Sequence, residues 1–295
     1  MNGTANSHRN TIFVEEARIL SQDVYSDEQF ILRVHAPKCA AAALPGSFAH
    51  VTCDPTLPMR RPLSIMRVDA DQGWVDFLYK IVGDGLRLLS LRKPGDCLSV
   101  MGPIGKPFVL HPERPRPLLL GGGVGIPPMV FLADALRDDT DYSPVLFMGS
   151  EVPFPFELTT SALPMPGIEP SINQTLALLE RWQIPARLTS LQGYDGCFEG
   201  YVTQAAASFL DTLDDAAKKD IEIFSCGPTP MLEAVAKLAR DYHLPAQVSL
   251  EEHMACAVGG CAGCVVRVEN DQGVSMQRVC VDGPVFEARD VFPAA

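Results

Sequence analysis

The chain has 295 residues, 47% hydrophobic and 20% charged, the composition of a globular enzyme with length for about two domains. A net charge of −12, with no Lys/Arg cluster beyond Arg60-Arg61, excludes a nucleic-acid-binding face. The N-terminus is polar and has no apolar signal-peptide stretch, so a cytoplasmic location is expected. The longest uncharged run, 117–133, is broken by three glycines and by Pro127-Pro128, which predicts a buried strand, turn and helix start instead of a membrane span.

Six segments rich in β-branched and aromatic residues, 12–20, 30–36, 48–53, 63–68, 74–82 and 97–101, open the chain. Turn signals such as Pro45-Gly46, Asp71-Gln72-Gly73 and Pro94-Gly95 separate them. This spacing predicts a small antiparallel barrel, interrupted by one helix at 86–91. After a proline-rich connector, 111–117, strands and helices alternate. Strands are predicted at 118–120, 145–148, 187–191 and 221–225, and helices at 128–137, 176–182, 202–213 and 230–242. Alternation of this kind predicts βαβ units and a parallel sheet. The segment 153–170 carries five prolines with little periodicity and reads as an irregular surface insertion. The tail holds two strand candidates, 265–269 and 274–279.

Nine cysteines are too many to ignore, and in a cytosolic chain clustered cysteines point to metal or redox chemistry more often than to disulfides. Cys39, Cys53, Cys97, Cys197 and Cys226 are scattered, whereas the other four follow the order Cys256-x4-Cys261-x2-Cys264-x15-Cys280. That is the plant-type [2Fe–2S] pattern. Two irons and two sulfides need four converging thiolates, three from one tight loop and one from a separate segment. The intervening residues, Ala257, Val258, Gly259, Gly260, Ala262 and Gly263, are small enough for backbone to wrap a cluster. The plain alternative is structural zinc, which favours two C-x2-C pairs or one pair with two histidines. Here there is one such pair, and no histidine follows it.

Two strand–turn–helix motifs add a nucleotide reading. Gly121-Gly122-Gly123-Val124-Gly125-Ile126-Pro127-Pro128 places glycines where backbone can approach a pyrophosphate at a helix start. It departs from G-x-G-x-x-G at Pro128, and alone it is equally a tight turn. Cys226-Gly227-Pro228 ends the strand predicted at 221–225, and the carboxyl ends of parallel strands are where ligands bind. Cys226 suits a place against a nicotinamide, or that of a small buried residue.

Together these residues resemble the ferredoxin reductase superfamily, and within it the electron-transfer subunits of NAD-dependent dihydroorotate dehydrogenase. The resemblance is carried by Arg60-Arg61-Pro62-Leu63-Ser64-Ile65, by Phe77-Leu78-Tyr79-Lys80 with Val82-Gly83-Asp84-Gly85, and by Gly102-Pro103-Ile104-Gly105. Cys226-Gly227-Pro228 and Ser249-Leu250-Glu251-Glu252-His253-Met254-Ala255-Cys256 complete it. It implies an α/β plus β-barrel architecture: an antiparallel flavin-binding barrel (1–111), a Rossmann-like parallel α/β NAD(P) domain (112–248) and a small iron–sulfur domain (249–295). It further implies that Arg61 meets the FAD pyrophosphate, that Pro62, Leu63 and Ser64 line the isoalloxazine with Ser64 near N5, and that Leu78, Tyr79 and Lys80 hold the flavin. Gly85 and Leu86 would approach the FAD phosphates. Gly121, Gly122, Gly123, Gly125, Pro127, Cys226, Gly227 and Pro228 would serve the nicotinamide nucleotide, with Ser64 and Cys226 at the hydride-transfer point. Leu86 stands where the family usually has threonine, and Ala257 where it has glycine. Gly149-Ser150-Glu151 offers an acid and no nearby cation, which favours NAD over NADP.

The expected function is electron transfer between NAD(H), FAD and a [2Fe–2S] cluster, on to or from a dihydroorotate dehydrogenase catalytic flavoprotein subunit in a hetero-oligomer of pyrimidine biosynthesis. The alternative is an NAD(P)H reductase for another acceptor, such as an oxygenase, a ferredoxin or another reductase subunit.

Overall fold

A computed structural model of the protein describes residues 11–293. The first strands are β1 (Phe13–Tyr25) and β2 (Gln29–His35), followed by a short helix α1 (Pro37–Ala42), then β3 (Phe48–Val51), β4 (Arg61–Asp69) and β5 (Trp74–Lys80). Helix α2 (Gly83–Ser90) and strand β6 (Cys97–Ile104) complete this unit. The six strands close an antiparallel barrel in the order β1-β2-β5-β4-β3-β6. Period-2 alternation sends Ile19, Leu32, Val34, Ala49, Val51, Ile65, Phe77 and Val100 into its interior. β1 runs five residues past the predicted end, because 21–25 pair with 29–33 across a tight turn in which Asp27 and Glu28 both take φ 57.

The second unit starts with β7 (Arg116–Gly122), a single 3-10 turn (Gly123–Gly125) and α3 (Ile126–Leu136). There follow β8 (Val145–Gly149), β9 (Leu158–Thr160), β10 (Gln174–Leu176), α4 (Ala177–Arg181), β11 (Ala186–Ser190) and β12 (Phe198–Glu199). Helices α5 (Val202–Leu210) and α6 (Asp215–Lys218), strand β13 (Ile221–Cys226), helix α7 (Thr229–Asp241) and strand β14 (Ala246–Ser249) come next. The tail adds β15 (Val265–Asn270), β16 (Gly273–Arg278), β17 (Val285–Glu287) and α8 (Ala288–Val291).

Seven strands form one sheet in the order β12-β11-β8-β7-β13-β14-β17. All its pairings are parallel except the last, where β17 runs antiparallel to β14. Helix α3 is buried over almost its whole circumference because it lies between the sheet and the outer face of β4. That explains the uncharged run 117–133. The Nε of Arg67 on β4 donates to Asp134 Oδ2 of α3 at 2.9 Å, a polar fastening between the two units. Among the described residues no helix is long and apolar enough to cross a membrane.

The segment 153–170 is more ordered than expected. β9 pairs antiparallel with β10, so a two-stranded ribbon stands where an irregular insertion was predicted. Phe154 and Met165 are buried. Glu180 accepts from Ser161 Oγ (2.7 Å) and Ala162 N (2.9 Å), Arg187 Nη2 donates to Leu163 O (2.7 Å), and Gln29 Nε2 of the barrel donates to Pro153 O (2.8 Å). Side chains from outside the segment supply the order that its own periodicity lacks.

Candidate functional site

A cavity of about 590 Å³ opens where the barrel, the nucleotide sheet and the tail meet. Arg61, Pro62, Leu63 and Ser64 of β4 form one wall and Leu78, Tyr79 and Lys80 of β5 the next. Both strands belong to the closed barrel, so these side chains are fixed by its registers. Leu86 of α2 lines the cavity as well, with Val124 and Thr229 reaching in from the two glycine turns. Ser249 to Met254 form the far wall.

The Arg61 guanidinium lies over Gly85. A Cβ there would come within 2.7 Å of its Nε, so the glycine is what admits it. Arg61 Nη1 donates to the carbonyls of Met59 (2.9 Å) and Arg60 (3.2 Å), which holds the group at the start of α2. No side chain caps that helix. Its first N–H groups, its partial positive charge and the guanidinium together make an anion-binding corner.

The glycines of the two turns divide by role. Gly122, Gly125 and Gly227 serve packing of one turn on the other, and Gly121 the packing of its strand on α3. A Cβ on Gly125 would collide with the Cys226 carbonyl, and one on Gly122 or Gly227 with the Met231 sulfur. A Cβ on Gly121 would press on the α3 backbone at Ile126. Gly123 has open space round it and φ +54, so among the turn glycines it is the one facing solvent. Pro127 is buried in the first turn of α3, where the missing N–H costs nothing. Pro228 precedes α7 as its N-cap. Cys226 is fully buried, and burial pushes its thiol well above the ordinary range, so it stands as a neutral thiol beside Ser249.

Sequence reasoning gave no role to Glu251. Its side chain lines the cavity and keeps access to solvent, and partial desolvation there raises its pKa above the usual carboxylate range. The signal was present in the segment from Ser249 to Cys256 but spoke only of chain order.

The four cysteines of the tail stand as two pairs, and among the described residues they are not gathered round one ion position. Cys264 and Cys280 have sulfurs 3.3 Å apart. Cys256 and Cys261 face each other across their loop; the Val258 N–H, with further hydrogen bonds from the Cys261 backbone and side chain, draws the Cys256 thiol down to about 6. Burial and then Cys264 push Cys280 up to about 12. The loop turns through left-handed residues, Ala257 (φ 55), Gly259 (φ 81) and Ala262 (φ 53).

Residues 251–292 match the family model of the iron-sulfur cluster binding domain of dihydroorotate dehydrogenase B. A dihydroorotate dehydrogenase B (NAD(+)) electron transfer subunit from Geobacillus sp. (strain WCH70) is 34% identical over 255 residues, spanning 84% of this chain and 86% of that protein. The chain belongs to the family of dihydroorotate dehydrogenase B electron transfer subunits. The family member from Desulforamulus reducens is 29% identical over 284 residues, spanning 94% of this chain and 98% of that subunit. Among solved structures, an NADH-dependent reduced ferredoxin–NADP oxidoreductase superposes with a TM-score of 0.75 at 24% identity, covering 99% of this chain and 91% of that one. The ferredoxin reductase of carbazole 1,9a-dioxygenase gives 0.61 at 22% identity, covering 79% and 67%. These two likenesses concern the fold alone.

Proposed function

We propose that this chain is the electron transfer subunit of a dihydroorotate dehydrogenase B, moving electrons between NAD(H), FAD and a [2Fe–2S] cluster and on to or from a catalytic flavoprotein subunit in pyrimidine biosynthesis. The observation that carries the proposal is the continuity of the segment from Ser249 to Met254. It walls the cavity beside the β4 and β5 residues, and two residues later it delivers Cys256.

The residues present fit the groups the family implies. A cavity of about 590 Å³ has the size of a cofactor site. Arg61, the α2 N-terminus, Gly85 and Leu86 form the corner for a pyrophosphate; an apolar Leu86 leaves backbone N–H groups and Arg61 to do the binding. Pro62, Leu63, Ser64, Leu78, Tyr79 and Lys80 suit the flat faces and polar edge of a flavin ring. Two facing pairs of thiols suit a binuclear cluster, with Cys256 and Cys261 for one iron and Cys264 and Cys280 for the other. The free cysteines fit a reducing, cytoplasmic compartment. We divide the chain at 1–111, 112–248 and 249–295 by these tasks, although β17 of the third part joins the sheet of the second.

A bound flavin would supply the conversion between hydride and single electrons, which the cluster carries one at a time. What the chain contributes is placement. Ser64 stands on the cavity wall, where its hydroxyl would serve as a hydrogen-bonding group for a bound flavin ring. Cys226, kept a thiol by burial, ends β13 beneath the turn that brings Thr229 to the cavity and does not itself line it, so it would support the nicotinamide site from behind. Gly123 leaves room for the coenzyme phosphates at the start of α3. Glu151, at the end of β8, accepts from Gln192 Nε2 at 3.3 Å and presents a carboxylate suited to a ribose diol, which favours NAD.

Cys261→Ser tests the cluster assignment. The variant is expected to keep bound FAD and to lose the visible cluster absorbance and delivery of electrons to the partner. Iron content equal to that of the native chain would overturn it.

A further inference from the structure

His50 is a polar residue in a wall of apolar ones. It lies in β3 at 1% exposure, opposite Pro62 of β4 and Met101 of β6. Along the strand, Ala49 and Val51 fill the barrel interior, whereas Phe48 packs with Ala257, Cys264 and Cys280. Strand alternation puts the His50 ring on the Phe48 side, under the segment that carries the cysteines. Desolvation first, and then the Arg60 and Arg61 charges, bring its pKa down to about 4, so the ring is neutral. A neutral imidazole has one N–H to donate and one nitrogen to accept. Among the described residues neither Nδ1 nor Nε2 has a hydrogen-bond partner.

A buried polar group left unpartnered is uncommon in a folded protein, and one that persists calls for a specific account. Two backbone acceptors face the ring, those of Arg60 and Met254, and neither closes a hydrogen bond. Arg60 is locked to the strand edges, its Nη1 donating to His50 O (3.2 Å) and Ser99 O (2.8 Å). Met254 belongs to the irregular segment after β14, in the cavity wall and two residues before Cys256. It is the acceptor that can shift when a cluster draws the cysteine loop together.

We infer that His50 is a positioning residue, whose ring N–H donates to the Met254 carbonyl once the cofactors are bound and so ties the cysteine loop to the flavin-lining strands. This rests on the reading given under Proposed function. A hydrogen bond one step behind the ligands fixes their orientation, and here it also fixes the separation of the two redox groups. The residue touches neither group. It acts through Met254.

The test uses native chain, His50→Phe and His50→Gln, each purified with its cofactors and with FAD and iron counted. Phenylalanine keeps a ring in the site and removes the donor, whereas glutamine restores a donor. Hydrogen exchange is measured over 250–258, and cluster reduction is followed after rapid mixing with NADH. His50→Phe is expected to retain FAD and iron, to exchange faster over 250–258 and to reduce its cluster about tenfold more slowly, with His50→Gln within about twofold of native. His50→Phe matching native in both measurements overturns the inference. So does His50→Gln as impaired as His50→Phe, which would assign the ring to packing. Should His50→Phe not hold its cofactors, native-like loading and rate in His50→Gln support the donor role, and their loss overturns it. A native preparation without FAD or iron would defeat the functional reading itself, and this inference with it.

Discussion

Arg61 reaches the start of α2 with part of its guanidinium already spent on the carbonyls of Met59 and Arg60, so the group is held in place before any ligand arrives. Arg61→Ala is expected to weaken FAD binding about ten- to hundredfold, the worth of one charge-assisted hydrogen bond or two. Titration of the flavin-free chain with FAD measures it, and an unchanged affinity would move the pyrophosphate elsewhere. Arg61 could be singled out in the sequence because the run from Arg60 to Ile65 is a long, specific string, and it stands on the cavity wall. The cysteines were legible because their spacing states a chemistry. His50 and Glu251 were not: a histidine in an apolar strand carries no sign of its burial, and a glutamate beside another none of its place on the cavity wall, because both arise only when the tail folds over the barrel. Ala257 falls between. Its departure from glycine was visible, but its left-handed φ of 55 was not, and that conformation costs an alanine roughly 1 kcal/mol or more.

The two strand–turn–helix units depend on each other. β7 and β13 are parallel neighbours, so their turns emerge side by side and press together at Gly125 and Cys226. Gly125→Ala is expected to cost about 1–3 kcal/mol, because the new methyl meets backbone that cannot swing away. Denaturant unfolding reads this, and an unchanged midpoint would contradict the packing role. Six barrel strands and the alternating units could be read from period and turn residues. Short elements could not. α1 has one turn of alanines behind a proline; β17 is three residues whose partner strand lies across the whole cysteine loop. β14 is buried throughout yet carries Gln247 and Ser249, so it lacks the apolar run that marks a core strand. Gln247 explains itself in three dimensions: it exchanges hydrogen bonds with Val109 (3.0 and 2.6 Å) and donates to the buried Glu222 at 2.9 Å.

That last set of contacts acts on the whole molecule. Val109 belongs to the connector between barrel and sheet, and Glu222 is also gripped by His111 Nδ1 at 2.7 Å. With the Arg67–Asp134 pair and the Gln29–Pro153 hydrogen bond, these contacts fasten the barrel to the second unit. β17 and α8 then return the tail to the sheet, which holds the cysteine loop against the barrel wall. The outcome is a chain in which barrel strands β4 and β5, the two glycine turns and the segment leading to Cys256 meet at one cavity. The most direct measurement is dihydroorotate-dependent NAD reduction by the protein purified from its own host together with whatever stays bound to it. The account predicts activity in a preparation that contains FAD, iron and a co-purifying flavoprotein subunit. A preparation that holds FAD and cluster and oxidises NADH with a dye, but gives no reduction of NAD from dihydroorotate, would contradict it.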